Sequence, residues 1–183
     1  MAFVQTDVKR LIAYSSLSQM GFMLIGIFSG SPLGLQGSLL LMIAHGLSVS
    51  GLFLIADELK VRDFSRAGGL WPHLGGVGLF FAIATLGLPG LGNFVGEFLI
   101  LLGAFSASVS TAAAAAIGLV ASAAYALRMV QKVFFGNPEE APPARRLPVR
   151  MACLFGVMMA MLLLLGFFPE PLFNLFSLAA RGL

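Results

Sequence analysis

The sequence predicts an all-α integral membrane protein with about five transmembrane helices, the third of them broken in the middle. Hydrophobic residues make up 58% of the 183 residues and charged residues only 10%, whereas a soluble globular domain carries about 25% charged residues. The mean hydropathy is +0.96, and several apolar runs reach the ~20 residues that a helix needs to cross a bilayer. We therefore expect residues 1–183 to form a single membrane domain.

The apolar runs give the order of the predicted spans. Four of them are continuous and cover residues 11–28, 35–56, 111–135 and 151–168. The remaining stretch, residues 74–109, is too long for one straight helix and too short for two complete helices with a turn. If it crosses once, all Lys and Arg residues except Arg181 fall on one side, whereas two crossings would divide them almost evenly. Because Lys and Arg favour the cytoplasmic side, we predict one broken crossing, an inside N-terminus and an outside C-terminus.

The break in the third span is predicted from its helix-breaking residues. Pro89 lacks a backbone donor, and Gly90 and Gly92 have no side chain, so a helix that arrives near Leu86 is expected to end there. Asn93 is expected to cap a second half-helix that begins directly after it. Broken helices occur in bilayers where they are buried in protein or face water, and they recur in ion transporters.

Glu97 lies one turn into the second half-helix. Burial of a charged carboxylate near the bilayer centre costs ~2.5 to 3.5 kcal/mol on insertion scales. The positive end of the half-helix stabilises the carboxylate by only ~0.3 to 1 kcal/mol, which does not offset that cost. No Lys or Arg occurs in the centre of any span, so Glu97 is either neutral or paired with a cation from another chain. Either condition suits a group that exchanges protons. The alternative is an acid that is hydrogen-bonded to the free backbone of the break.

Other polar residues lie within the spans. His45 is in the middle of the second span, and Ser38 and Ser48 share its helix face. A histidine there either passes protons or is a neutral ring bonded to a backbone carbonyl, and the sequence does not favour one over the other. Ser38, Ser48 and the polar stripe of the first span either line a hydrated path or bridge helices. The members of the stripe are Ser15, Ser18 and Gln19.

Several kinds of site are not predicted. The net charge is +3, but no basic stripe is interleaved with aromatic residues, so no nucleic-acid partner is expected. Cys153 is the only cysteine, and no His or Cys pair has the spacing of metal ligands, so neither an intrachain disulfide nor a metal site is expected. No cofactor-binding motif occurs, and the partner that the composition itself implies is the lipid bilayer.

Three segments resemble one family of membrane proteins. Residues 5–22 (QTDVKRLIAYSSLSQMGF) and 42–48 (MIAHGLS) resemble the antiporter-like membrane subunits of respiratory complex I. Residues 84–98 (ATLGLPGLGNFVGEF) are similar to subunit M of NADH-quinone oxidoreductase, the counterpart of NADH dehydrogenase subunit 4. This resemblance implies a proton-translocating subunit that couples quinone reduction to proton transfer across the inner membrane of a bacterium.

The resemblance also implies roles for individual residues and partners. Glu97 matches an acid at the broken helix near the outer end of the proton path, and His45 matches a histidine of the central hydrophilic axis. Gln19 stands where many family members have a histidine, and an amide cannot accept a proton at ordinary pH. The implied partners are other membrane-arm subunits, and NADH, flavin, iron-sulfur clusters and quinone are expected in partner subunits, with none in this chain.

The resemblance covers only the C-terminal part of the family's length. The upstream spans, which carry an acid and two lysines of the proton path, have no counterpart in the sequence, so the chain is expected to be a fragment, a product with a misplaced start, or one piece of a split subunit. Two other functions are alternatives: a truncated structural fragment that does not pump, and a subunit of an Mrp-type cation/proton antiporter or a membrane hydrogenase. The antiporter and hydrogenase subunits tend to have Lys at the position of Glu97.

Overall fold

The described residues are almost entirely helical, as the composition predicts. The computed structural model describes residues 7–58, 71–135 and 148–181, and these ranges contain seven helices. The helices are α1 (Val8–Phe28), α2 (Pro32–Glu58), α3 (Trp71–Thr85), α4 (Gly92–Ala107), α5 (Val109–Phe135), α6 (Val149–Phe167) and α7 (Glu170–Arg181). Within these ranges, α1, α2, α6 and residues Val109–Arg128 of α5 are long and apolar enough to cross a membrane. The predicted class, an all-α integral membrane protein, is confirmed.

The helices begin a few residues before the apolar runs on which the spans were predicted. Helix α1 begins at Val8 because the side chain of Asp7 accepts a hydrogen bond from the backbone N–H of Arg10 and so caps the first turn. Helix α2 begins at Pro32, since the fixed φ of proline suits the first turn of a helix. Two charged segments separate the predicted spans, residues 57–73 and 137–150, and most of each, residues 59–70 and 136–147, lies outside the described residues.

The predicted break is present between α3 and α4, at residues 86–91. Gly87 and Gly90 adopt positive φ angles of 69° and 98° there, which glycine does without the steric cost of a side chain. Neither α3, with 15 residues, nor α4, with 16, reaches the ~20 residues of a complete crossing. That these two helices form a single crossing remains a prediction.

The prediction that Asn93 caps the second half-helix is wrong. Helix α4 begins at Gly92, its cap position is Leu91, and no side chain caps it. Asn93 is fully buried, and its amide instead donates to the hydroxyl of Ser48 on α2. The reason is tertiary: α4 packs closely on α2, so an amide in the first turn finds a partner on the neighbouring helix.

Helix α2 lies at the centre of the structure and packs most extensively against α4 and α1. Glycines allow the close approach: a Cβ added at Gly37 would lie 2.8 Å from the carbonyl oxygen of Gly96, and one added at Gly96 would lie 2.8 Å from Cβ of Leu41. Lys9 and Asp57 form an ion pair of 3.0 Å, which joins the start of α1 to the end of α2. The first two helices are therefore an antiparallel pair.

Candidate functional site

The candidate site is built on the buried face of α4. Asn93 and Glu97 are four residues apart, so they lie one turn apart on the same face of the helix. This face is turned towards α1 and α2. Gly96, which lies between Asn93 and Glu97 in the sequence, has no side chain and packs directly on α2. Asn93 has no exposed surface and Glu97 is only 3% exposed. An amide and a carboxyl group are thereby held inside an otherwise apolar helical core.

The carboxyl group of Glu97 bonds to a side chain of α1. Nε2 of Gln19 donates a hydrogen bond of 2.8 Å to Oε1 of Glu97, across 78 positions of sequence. Gln19 is also only 3% exposed, so the bond is shielded from solvent. A hydrogen bond to an ionised acceptor is stronger than one between neutral groups, and Gln19 therefore stabilises the carboxylate without contributing a charge.

The other carboxyl oxygen of Glu97 faces the helix break. A Cβ added at Gly87 would clash with Oε2 of Glu97, so the bare backbone of Gly87 makes the space that this oxygen occupies. Gly87 also has a positive φ. Both the backbone conformation and the space needed by Glu97 therefore favour glycine at this position. The break thus both interrupts the helix and receives the carboxyl group of the following half-helix.

A second set of contacts connects Asn93 to the turn of α2 that contains His45. Nδ2 of Asn93 donates to Oγ of Ser48 at 3.1 Å, and Oγ of Ser48 donates to the carbonyl oxygen of His45 at 3.1 Å. His45 is 6% exposed. Since Asn93 and Glu97 are neighbours on α4, polar groups from α2, α4 and α1 form a row through the core.

Several buried atoms of this row have no hydrogen-bond partner among the described residues. They are Nδ1 and Nε2 of His45, Oδ1 of Asn93 and Oε1 of Gln19. Buried polar atoms in proteins are nearly always paired, either with protein groups or with ordered water. The row can therefore bind water or polar groups of a further segment at these atoms, and a chain of such contacts can carry protons.

The remaining polar residues predicted from the sequence have different environments. Ser38 is fully buried, and its hydroxyl lies 2.9 Å from the carbonyl oxygen of Met23 on α1 and 2.8 Å from that of Gly34. It therefore bridges helices, one of its two predicted roles. Ser15 is half-buried and Ser18 is exposed. Ser18 lines a cavity beside Gln19.

Two cavities flank the bond between Gln19 and Glu97. One, of about 270 Å³, lies between α1 and α5 and is lined by Gln19, Ser18 and Ser122 among others. The second, of about 250 Å³, is lined by Glu97 and Gly87. Leu119 of α5 lines both. Sequence reasoning missed Ser122 and Leu119, because nothing in the alanine-rich sequence of α5 indicates which residues face α1 and α4.

The described residues contain no metal centre. No group of three His, Cys, Asp or Glu side chains in those ranges could hold a metal ion. Cys153 is a free, exposed thiol on α6. The described site offers one carboxyl group and one imidazole that can bind protons, and amides and hydroxyls between them that can form hydrogen bonds to these groups or to water.

A buried ionisable residue beside a broken helix is an arrangement that recurs in the class of ion-transporting membrane proteins. Residues 1–123 match the family described as "NADH:quinone oxidoreductase/Mrp antiporter, TM". That match covers well over half of the chain, and the chain belongs to this family.

Individual relatives agree with the family match. The chain is 44% identical over 189 residues to NADH-quinone oxidoreductase subunit M of Pseudomonas aeruginosa, covering 100% of this chain and 37% of the relative. It is 45% identical over 184 residues to NADH-quinone oxidoreductase subunit M of Escherichia coli K12, covering 95% of this chain and 36% of the relative. The chain thus spans little more than a third of the length of the curated relatives it matches.

Solved structures show the same fold. A chain in the structure described as respiratory complex I from Thermus thermophilus with bound NADH superposes with a TM-score of 0.84 at 40% sequence identity. The match covers 92% of this chain and 37% of that one. The predicted resemblance to subunit M of NADH-quinone oxidoreductase is confirmed.

Proposed function

We propose that this chain is part of a proton-translocating, antiporter-like membrane subunit of an NADH-quinone oxidoreductase. The observation that carries the proposal is the burial of Glu97 beside the helix break, with the amide of Gln19 as its hydrogen-bond partner. An ionisable residue inside a membrane domain is costly and marks a transport pathway in most cases. The names of the relatives supply the electron-transfer reaction to which transport is coupled.

Within the subunit, Glu97 and His45 are the proposed proton-transfer residues. Glu97 takes up and releases the proton, and His45 exchanges it with Glu97 through water bound along Ser48 and Asn93. The contact of Asn93 with Ser48 supports this route, as do the two ring nitrogens of His45 that lack a partner among the described residues. Ser38 is given a structural role, since its hydroxyl is engaged by backbone carbonyls.

The proposal extends to partners and location. The chain would pack against the remaining part of its own subunit and other membrane-arm subunits, in the inner membrane of a bacterium. The N-terminus is proposed to be inside and the C-terminus outside, on the distribution of Lys and Arg. NADH, flavin, iron-sulfur clusters and quinone would be bound by partner subunits, and this chain would bind none of them.

The test is Glu97→Gln, made in the complete subunit in its native membrane. Glutamine has nearly the shape of a protonated glutamate and still forms hydrogen bonds, but it cannot release a proton. We expect NADH-driven acidification of inverted vesicles to be lost, while the subunit remains in a large complex on a native gel stained for NADH oxidation. The matched control is Glu170→Gln, the same change at an exposed residue at the start of α7.

Normal acidification by the Glu97→Gln vesicles would refute the proposal. If His45→Ala also left acidification unchanged, the chain would be a structural fragment that does not pump. Dependence of the pumped charge on external sodium, with no dependence on NADH oxidation, would indicate the cation/proton antiporter instead. Migration of the tagged chain as a small species, apart from any NADH-oxidising band, would show that it does not assemble into the oxidoreductase.

A further inference from the structure

The two carboxyl oxygens of Glu97 have different surroundings. Oε1 accepts the hydrogen bond from Nε2 of Gln19, whereas Oε2 faces the backbone of Gly87. Glu97 and Gly87 together line the cavity of about 250 Å³. The carboxyl group is therefore held at one oxygen, while the other is directed towards a cavity.

The side-chain oxygen of Gln19 could accept a hydrogen bond close to the one that its nitrogen donates to Glu97. This oxygen, Oε1, is buried and has no hydrogen-bond partner among the described residues. A glutamine amide has a donor end and an acceptor end, and its terminal torsion has a broad, roughly two-fold profile. Half a turn about that torsion replaces the donor by the acceptor at nearly the same position.

We propose that Gln19 is a positioning residue that stays bonded to Glu97 in both protonation states of the carboxyl group. When Glu97 is ionised, Nε2 of Gln19 donates to Oε1 of Glu97. When Glu97 is protonated, the Gln19 amide turns and its Oε1 accepts the O–H of the carboxylic acid. The inference rests on the proposed function, because it concerns a Glu97 that gains and loses a proton.

The amide also limits what the pair can do. Glutamine does not titrate at ordinary pH, so Gln19 and Glu97 together hold one exchangeable proton, where a histidine beside a carboxyl group could hold two. In both states Oε1 is the oxygen of Glu97 that bonds to Gln19, and Oε1 carries the proton when the carboxyl group is protonated.

The test is infrared difference spectroscopy of the complete, purified oxidoreductase during a pH titration. The C=O stretch of protonated Glu97 is identified by its loss in Glu97→Gln. Gln19→Leu removes the acceptor, so we expect this band to move to higher wavenumber. Gln36→Leu, the same change in the first turns of α2, is the control and should leave the band in place. A side-chain isotope label on glutamine should reveal a band of Gln19 that shifts as Glu97 protonates and disappears from the difference spectrum in Glu97→Gln.

A Glu97 band that does not move in Gln19→Leu would overturn the inference, as would labelled glutamine that does not respond to Glu97. The label is read in the unchanged protein, so this second result stands even if Gln19→Leu fails to fold. The absence of any band for protonated Glu97 across the titration would also overturn it. If Glu97→Gln vesicles still pump while the band shifts as expected, the pairing holds and only the proposed function fails.

Discussion

The amide of Asn93 donates a hydrogen bond of 3.1 Å to the hydroxyl of Ser48, and both side chains are completely buried. This bond joins the first turn of the half-helix after the break to the middle of α2. Ser48 in turn donates to the carbonyl oxygen of His45. The broken helix is thus fixed, by a specific polar contact, to the helix turn that bears the histidine.

Removal of this bond should destabilise the helix pair. Asn93→Ala leaves Ser48 without its donor, and a lost hydrogen bond between buried neutral groups costs about 0.5 to 1.5 kcal/mol, or more where a partner remains unsatisfied. We expect Ser48→Ala to cost a similar amount and the double variant to cost less than the sum of the two. The measurement is thermal unfolding of the purified subunit in detergent, analysed as a double-mutant cycle. Strictly additive effects would mean that the two side chains do not interact.

Gly87→Ala should be more damaging than a substitution in a half-buried turn usually is. A left-handed conformation costs a non-glycine residue about 1 to 2 kcal/mol, and the new Cβ would also clash with Oε2 of Glu97. Gly30→Ala is the matched control, because Gly30 has a φ of 67° and open space around it. We expect Gly87→Ala to lower the unfolding temperature further than Gly30→Ala does.

The excess destabilisation at Gly87 should depend on the Glu97 side chain. In a Glu97→Ala background the clash is absent, so Gly87→Ala should then resemble Gly30→Ala in its effect on the unfolding temperature. An equal effect of Gly87→Ala in both backgrounds would show that the carboxyl group does not lie against the break. This comparison needs no transport activity and tests the geometry alone.

Gly37→Ala should separate α2 from α4. A Cβ at this position would lie 2.7 Å from Cβ of Leu99 and 2.8 Å from the carbonyl oxygen of Gly96, and overpacking of this kind typically costs about 1 to 3 kcal/mol. Gly46→Ala, on the same helix, meets nothing within 4 Å and should be neutral or slightly stabilising, because alanine is the better helix former. The unfolding temperatures of the two variants, measured side by side in detergent, test the packing; equal values would contradict it.

The ion pair between Lys9 and Asp57 should matter little for stability. Asp57 is 81% exposed and Lys9 is 35% exposed, and surface pairs typically contribute about 0 to 1 kcal/mol. We expect Lys9→Ala to change the unfolding temperature only slightly, and less at high salt than at low salt. A large, salt-independent loss of stability would indicate that Lys9 has a further role.

The backbone course of this protein follows closely from local sequence. The lengths of the apolar runs predict α1, α2, α5 and α6 to within about three residues at the start of each, because crossing a bilayer requires a helix of limited length. Pro89 and the glycines around it predict the break, since a proline removes a donor and glycine permits positive φ. The position of Glu97, within the second half-helix, follows from the same residues.

The membrane class, the helices, the break and the presence of one acid beside it could all be predicted from the sequence, because each depends on interactions over a few residues. Two contacts could not be predicted in this way: Gln19, 78 positions away, bonds to Glu97, and Asn93 bonds to Ser48 instead of capping α4. Such contacts are hard to predict because lipid is as apolar as the protein core. The hydrophobic pattern of a membrane helix therefore says little about which of its faces packs against other helices. In this protein that rotation is set by glycine contacts between distant helices, such as Gly37 with Gly96, and these are fixed only once the helices pack.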